Sequence, residues 1–455
     1  MGHFVPHTDE ELASMLADLG LSSLEDLFST VPEALRLAQG LDLPDGLAEA
    51  DVADVMAGLA QRNRTGSDLV CFAGAGAYDH DTPAATRALA GRSEFVTAYT
   101  PYQPEVAQGV LQALFEYQTL VARLAGLEVA NASLYDGASA AVEAVNLAAA
   151  ATGRQPIWVS GGIHPHWREV LATYAKGTGH QLVTAPLRDG QTDWSALEDT
   201  ASANPPAALL VSSPNYLGCF EHLDAARVVA DRHGALLLAG FDPVASGVAH
   251  TPGHFGADVA VGEGQPFGTP IAFGGPYLGL FACRREHVRR LPGRLVGRTL
   301  DTEGRTAYVT TLRAREQDIR REKASSNVCT NQTLIAVTCM IQLSWLGTQG
   351  LAELALRCAR GTRYARQALL AIPGVTPLVE APVLREFALH LPLDPCVVVE
   401  RMAEEGFLAG VPLALRDGEV LDPTAEADGL LIAVTERRTR TEIDAFVAAL
   451  EKVIR

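Results

Sequence analysis

Lysine is nearly missing from this 455-residue chain: Lys176, Lys323 and Lys452 are the three present. Positive charge is scarce as a whole, with 36 basic against 54 acidic residues and a formal net charge of −18. That balance argues against a nucleic-acid partner, because affinity for phosphate comes from clustered positive charge. The seven cysteines, at 71, 219, 283, 329, 339, 358 and 396, form neither a Cys-x-x-Cys pair nor a metal-like cluster, which points to a reducing compartment. No uninterrupted apolar run reaches the roughly 18 residues of a membrane span. The opening Met-Gly-His-Phe-Val-Pro-His-Thr has no charged or apolar leader region, so no signal peptide is expected. Gly2 is followed by His3 with no second anchor, which argues against a lipidated N-terminus. A cytoplasmic chain without a membrane is the expectation. A hydrophobic share of 48% and a charged share of 20% suit a globular protein long enough for two or three lobes.

What is present reads first as helix. Residues 1–65 are acidic, and Thr8 with Glu11 and Ser22 with Glu25 have capping-box spacing ahead of short amphipathic runs. Such short helices form no core alone and must lie on the main body or a partner. The Gly-rich segment at 72–78 has two glycines of the dinucleotide fingerprint but not the third, so a tight connection past some close neighbour is favoured over NAD binding. Two prolines in residues 97–109 forbid helix before about Glu105. The loop carrying Tyr99, Thr100, Tyr102 and Gln103 therefore packs at an interface or lines a site, ahead of a helix over 105–124. Asp136-Gly-Ala-Ser139 opens an Ala-rich helix, either as a plain cap or as a phosphate cradle at the positive end of the helix dipole.

From 156 to 285 strand-like and helical runs alternate. Strands are expected near 156–160, 181–187, 207–213, 235–241, 257–262 and 278–283, with helices such as 165–176 and 222–233 between them. This pattern predicts an α/β fold with a mostly parallel sheet, whose ligands sit at the carboxyl ends of strands. His164, Asn215, Asp242 and Gln265 fall at those ends. His164-Pro-His166 suits a cap better than zinc, since no third ligand is close in sequence. Asp242 closes an apolar run and Gln265 lies just past the next one. An acid followed about twenty residues on by a side chain at the next strand end matches the layout of many pyridoxal-phosphate (PLP) enzymes. There the acid holds the pyridine nitrogen protonated and a lysine forms the imine. An amide at 265 cannot form one.

Arginine crowds residues 284–323, either as a solvated helix face with pairs such as Glu286–Arg290 or as a landing area for an anion or acidic partner. Beyond it the pattern predicts helices at 333–347, 349–370, 395–405 and 441–454, the last starting at Thr441, and strands near 384–391 and 429–434. The expected division is a helical arm over 1–65, a large α/β domain over 66–325 and a small α+β domain over 326–455.

Several blocks together resemble one family. Ala98-Tyr-Thr-Pro-Tyr-Gln-Pro-Glu, Ser133-Leu-Tyr-Asp-Gly-Ala-Ser, Pro214-Asn-Tyr-Leu-Gly, Gly262-Glu-Gly-Gln with Phe273-Gly-Gly-Pro, and Lys323-Ala-Ser-Ser-Asn-Val-Cys-Thr-Asn-Gln look like the alpha-chain branch of the glycine cleavage system P-protein. The resemblance spans nearly the whole chain, including the N-terminal helices and Thr435-Glu-Arg-Arg-Thr. It implies a type I PLP-dependent transferase fold with a seven-stranded sheet. It implies glycine dehydrogenase (aminomethyl-transferring) activity, an oxidoreductase working in glycine catabolism. It also implies an assembly of two alpha and two beta chains, in which the beta chain holds PLP on the lysine that Gln265 replaces here, and a lipoylated H-protein as acceptor. The resemblance assigns no catalytic residue and no metal to this chain. Tyr99, Thr100, Tyr102, Gln103, Ser326, Asn327, Thr330 and Asn331 are the expected contributions to cofactor binding or to the glycine and lipoyl channel. Asp242 and the Asp136–Ser139 turn are expected to remain as structure. Cys219, Phe220 and Pro266 depart without a role, which leaves open another amine or carrier. Two other readings stay open: a self-sufficient enzyme using Lys323, and a non-catalytic scaffold.

Overall fold

The apolar runs between 129 and 283 assemble as a seven-stranded sheet. Its strands are Val129–Ala130 (β1), Pro156–Ser160 (β2), Gln181–Ala185 (β3), Ala208–Ser213 (β4), Leu236–Phe241 (β5), Val259–Glu263 (β6) and Gly279–Cys283 (β7). Their order is β1-β7-β6-β5-β4-β2-β3. The five from β6 to β3 run parallel, while β7 and β1 are antiparallel to their neighbours. The structure is a computed structural model that describes residues 6–37, 41–66, 68–96, 101–201, 204–272, 274–324, 326–421 and 427–455. It divides into two compact units, residues 1–64 and 65–455.

In the first unit, Asp9–Asp18 (α1) opens with the expected box, Thr8 and Glu11 each accepting the other's backbone N–H at 3.2 and 2.8 Å. The second box is displaced by one residue. Asp26, not Glu25, accepts the N–H groups of Ser22 and Ser23, both at 2.8 Å, and the turn at Leu24–Phe28 is 3-10 rather than α. Glu49–Ala60 (α2) completes this unit.

In the second unit, Ala84–Ala90 (α3) precedes Gln108–Ala125 (α4), and a 3-10 turn at Pro104–Val106 takes up the first residues of the expected helix. Gly137–Thr152 (α5), Pro165–Thr178 (α6) and Leu223–His233 (α7) are the connecting helices. Strand side chains alternate between two buried layers, as a period of two requires. Ile157, Val159, Leu210, Leu238 and Val261 pack with Ala140, Ala144 and Ala148 of α5. Trp158, Leu209, Val211 and Leu237 pack with Leu223, Ala226 and Ala230 of α7. Both faces are covered, which is why these strands read as continuous apolar runs.

The arginine-rich stretch is not a helix. It holds a 3-10 turn at Arg285–Arg290 and then a hairpin of Leu295–Leu300 (β8) and Thr306–Thr311 (β9). Asp301 closes the hairpin by accepting the N–H of Arg305 at 2.8 Å. Thr333–Leu369 (α8) meets the length and composition of a membrane span despite the sequence's lack of an unbroken apolar run. Its apolar residues Ala336, Val337, Cys339, Met340 and Leu343 pack in the core with α4. Gly347, with φ 60° and ψ −174°, breaks it into the two helices the sequence predicts.

The chain ends in a five-stranded sheet of Thr376–Pro377 (β10), Glu386–His390 (β11), Val411–Arg416 (β12), Glu419–Leu421 (β13) and Gly429–Ala433 (β14), ordered β10-β11-β14-β12-β13. Pro395–Glu404 (α9) and Arg440–Ile454 (α10) cover it. The last helix begins one residue before Thr441, because Thr439 and Glu442 form a capping box. Phe72 stacks on Phe446 of α10 with ring centroids 4.1 Å apart, joining the Gly-rich segment to this lobe.

At Gly347 no heavy atom lies within 4 Å of a built Cβ, so a side chain there meets only backbone strain. Gly347→Ala is expected to lower stability by about 1–3 kcal/mol, measured by urea unfolding.

Candidate active site

The carboxyl ends of β4, β5 and β6 deliver Ser212, Asp242 and Glu263 to one cleft, where Tyr78, His164, Asn215, Arg385 and Glu386 also converge. The acid of the expected PLP layout and the amide at the lysine position are both here, and each is already committed to another part of the chain. Gln265 is 1% exposed. Its Nε2 donates to the carbonyls of Tyr78 and Thr269 at 3.0 and 2.8 Å, and its Oε1 accepts the Tyr78 N–H at 2.9 Å. None of the three lysines lines the cleft; Lys323 ends an exposed 3-10 turn at Arg321–Lys323.

Asp242 accepts the N–H of Val244 through Oδ1 at 2.9 Å. Its Oδ2 lies 2.8 Å from Nε of Arg385 in a buried ion pair, with the N–H turned off the line to the oxygen. The Arg385 guanidinium stacks 3.5 Å from the centroid of the Tyr78 ring and bonds Nε2 of His80. Arginine only donates, so Nε2 accepts and Nδ1 carries the proton that binds Glu436 at 2.6 Å. Glu386 accepts the Ala75 N–H at 2.6 Å and the Tyr78 hydroxyl at 2.8 Å. Burial pushes its pKa up to about 7. A Cβ on Gly74 would lie 2.2 Å from this carboxylate, so Glu386 is the close neighbour that the Gly-rich segment has to pass.

Glu263 reaches the start of α5. It accepts N–H groups from Gly137 at 3.0 Å, Gln265 at 3.0 Å and Leu278 at 2.8 Å. Burial pushes its pKa up to about 8, and the three donors pull it the other way. Asp136 caps the same helix, accepting the Ser139 N–H at 2.7 Å. His164 likewise caps α6, accepting the His166 N–H at 3.1 Å, while its other nitrogen meets the Ala75 carbonyl at 2.9 Å.

The space left between Asp242, Glu263 and Arg385 is about 80 Å³, against the roughly 300–1,000 Å³ of ordinary small-molecule sites. A wider cleft of about 970 Å³ adjoins it, sharing Gly76, His164, Trp167 and Glu263 and running along Asp136–Ser139 and His166. PLP needs a free acid for its ring nitrogen, an amine for its aldehyde and donors for its phosphate. Here the acid is paired, the amine is an amide, and the Gly137 donor is taken. The residues of this chain do not fit the cofactor.

Among the described residues, two groups bring three metal-ligand atoms within 4.8 Å of one another: His80, Cys358 and Glu436, and Asp258, Glu286 and His287. Arginines stand in both, Arg385 on His80 and Arg227 with Arg284 on Asp258.

The residues predicted to reach a cofactor lie in a second cluster. Tyr99 and Thr100 fall outside the described residues. The Tyr102 hydroxyl accepts from Arg294 at 2.7 Å, and the same guanidinium nitrogen donates to the Cys329 carbonyl at 2.6 Å. Arg294 thus ties the loop of Tyr102 and the exposed Gln103 to the 326–331 segment. Ser326 accepts the Val328 N–H at 3.0 Å and bonds the buried Glu143 of α5. Asn327 and Thr330 are exposed. Asn331 donates to the Ala132 carbonyl at 2.9 Å and to Ser133 Oγ at 3.2 Å. Gln265 has no bond to this cluster among the described residues.

Tyr78, Glu263, Arg385 and Glu386 escaped the sequence reading. One signal was available: Arg385 and Glu386 are adjacent charges opening an otherwise apolar strand, which a buried pair explains.

The sequence profile of the family described as Glycine cleavage system P-protein matches residues 2–450. A Moorella thermoacetica protein named probable glycine dehydrogenase (decarboxylating) subunit 1 is 48% identical over 451 residues, covering 99% of each chain. Its namesake from Prosthecochloris aestuarii is 46% identical over 98% of this chain and 99% of its own. A crystal structure of glycine decarboxylase (P-protein) of the glycine cleavage system, in inhibitor-bound form, superposes with a TM-score of 0.90 at 44% identity over 99% of this chain and 100% of its own. The fold is the type I fold of PLP-dependent enzymes, an α/β architecture with a mostly parallel sheet.

Removing one partner of a buried ion pair strands the other. Arg385→Ala is expected to cost about 3–5 kcal/mol, and Asp242→Leu with Arg385→Met to recover most of it, read as a double-mutant cycle in urea. Glu143, Glu263 and Glu386 have pKa values pushed up by burial to about 7, 8 and 7 from 4.5. The folded chain therefore keeps protons that the unfolded chain has already released, so stability falls as pH rises from about 5 to 8. Glu143→Gln is expected to flatten that fall in Tm measured across the range.

Proposed function

The chain belongs to the glycine cleavage system P-protein family, and from that premise we propose that it is the alpha, or subunit 1, chain of a two-chain glycine decarboxylase. Its relatives are named as subunit 1 of glycine dehydrogenase (decarboxylating), and a numbered subunit has a sister. The observation that carries the reading is Gln265, an amide locked by three hydrogen bonds where the family layout has its amine. The sister beta chain carries the lysine and with it PLP, in an assembly of two alpha and two beta chains. PLP bound there supplies the electron sink that decarboxylation requires. The lipoyl arm of an H-protein accepts the aminomethyl group, and the whole works in the cytoplasm.

This chain contributes shape and hydrogen bonds to the shared boundary. Tyr99, Thr100, Tyr102, Gln103, Ser326, Asn327, Thr330 and Asn331 orient the sister's cofactor or line the glycine and lipoyl channel. Two features support that assignment. Tyr102, Gln103, Asn327 and Thr330 are exposed. The backbone beneath them is pinned, by Arg294 at Cys329 and by Tyr135, whose hydroxyl accepts the Cys329 and Thr330 N–H groups at 3.3 and 3.5 Å. Exposed polar side chains on a fixed backbone meet a partner without the cost of ordering the loop.

The purified chain alone is expected to decarboxylate no glycine and to exchange no glycine carboxyl with bicarbonate. Both activities should appear when a lysine-bearing sister is added. Asn327→Ala is expected to lower kcat of the reconstituted complex on the order of tenfold with Tm unchanged. Full turnover in that variant would favour a scaffold role for the 326–331 segment.

A further inference from the structure

Glu263 is carried by the last residue of β6 into the start of α5, the kind of place where folds of this class receive phosphate. Its three N–H donors come from separate segments: the helix start at Gly137, the loop at Gln265 and the approach to β7 at Leu278. Close packing fixes the segments that carry them. A Cβ on Gly137 would lie 2.3 Å from the Trp167 ring, and one on Gly279 would lie 2.5 Å from the Asp136 carbonyl. At the other end of the cleft the cation facing Asp242 is Arg385, a flat positive group stacked on Tyr78.

Emptying either position leaves a buried group without a partner. Backbone N–H groups shut away from water need an acceptor, and a buried carboxylate needs a counter-charge. A chain that binds a ligand gains those partners from it, along with the stability that binding confers. A chain without the ligand must grow them. We infer that Glu263 and Arg385 are permanent internal substitutes for a cofactor's phosphate and its protonated ring, so that this subunit completes its fold unliganded and a lysine at 265 alone does not recover PLP. The identity of the replaced group rests on the P-protein reading; the role of the two side chains rests on their contacts.

The test has two arms, run on the full chain both alone and with its sister subunit. Glu263→Ala empties the cradle, so its Tm is expected to drop by several degrees. Inorganic phosphate at millimolar concentration should restore part of that loss, chloride at equal ionic strength should not, and the parent chain should respond alike to both salts. In the second arm, variants are incubated with PLP, reduced with borohydride and mapped by peptide mass. Gln265→Lys alone is expected to carry no pyridoxyl group at position 265, whereas Gln265→Lys combined with Glu263→Ala and Arg385→Ala acquires one. Stoichiometric labelling of the single variant, or equal response of Glu263→Ala to phosphate and chloride, overturns the inference. Should the triple variant not fold, those two single-variant readouts decide alone. Failure of partner-dependent glycine turnover would overturn the proposed function and leave these readouts where they are.

Discussion

Asp242 and Arg385 meet between the two sheets of the second unit, one at the carboxyl end of β5 and the other just before β11. Neither group tolerates burial alone, because desolvation of one charge exceeds what any single neutral hydrogen bond returns. Their pairing therefore sets how the C-terminal lobe closes on the strand ends. Closure brings Glu386 onto the Ala75 N–H and the Tyr78 hydroxyl. It also presses the Glu386 carbonyl to within 1.9 Å of where a Cβ on Gly218 would stand. The Gly-rich segment at 72–78 is shaped by this contact and by the stacking of Phe72 on Phe446.

A cleft closed in this way has consequences for chemistry. In a site that takes a ligand, polar groups converge on a cavity and wait for their partner. Here they converge on one another: Asp242 on Arg385, Glu263 on three N–H groups, Gln265 on Tyr78 and Thr269. The strand-end position of a side chain thus states where chemistry occurs in the fold, while its hydrogen bonds state whether it occurs in this copy of the fold.

That distinction separates what the sequence could tell from what it could not. The parallel sheet was legible because strands buried on both faces read as unbroken apolar runs, and the breaks at Gly347 and at the prolines of 101–104 were legible because each residue carries its own backbone rule. The β8–β9 hairpin was not. Its arginines mask a weak alternation, and its turn joins a left-handed Gly304 to Asp301 reaching Arg305, not one of the two-residue glycine turns that mark a hairpin in sequence. The box expected at Ser22 and Glu25 lies one residue on, at Ser23 and Asp26, and the last helix starts one residue before Thr441, because neighbouring acids and hydroxyls have similar spacing and only backbone geometry chooses between them. At the site, position 265 was readable from the local motif, since an amide lacks the required nucleophile whatever surrounds it. Arg385 was not readable, because 143 residues separate it from Asp242 and no local rule joins them.

The loops at 101–103 and 326–331 show the opposite arrangement from the closed cleft. Their backbones are over-determined. Ser133 sits at φ 118°, a strained value for a residue with a side chain. Its hydroxyl accepts from Asn331 at 3.2 Å and from the Gln332 N–H at 3.1 Å, contacts able to hold such a conformation in place. Arg294, 4% exposed, joins the Tyr102 and Cys329 loops from beneath. A strained backbone and a buried cation stand here, whereas in the closed cleft charges are neutralised within the chain. A fold under no demand at these loops would relax Ser133 and replace Arg294 with an apolar side chain at little loss. Their presence beside exposed Asn327 and Thr330 follows if the rigid surface they build meets a reacting group that another polypeptide holds.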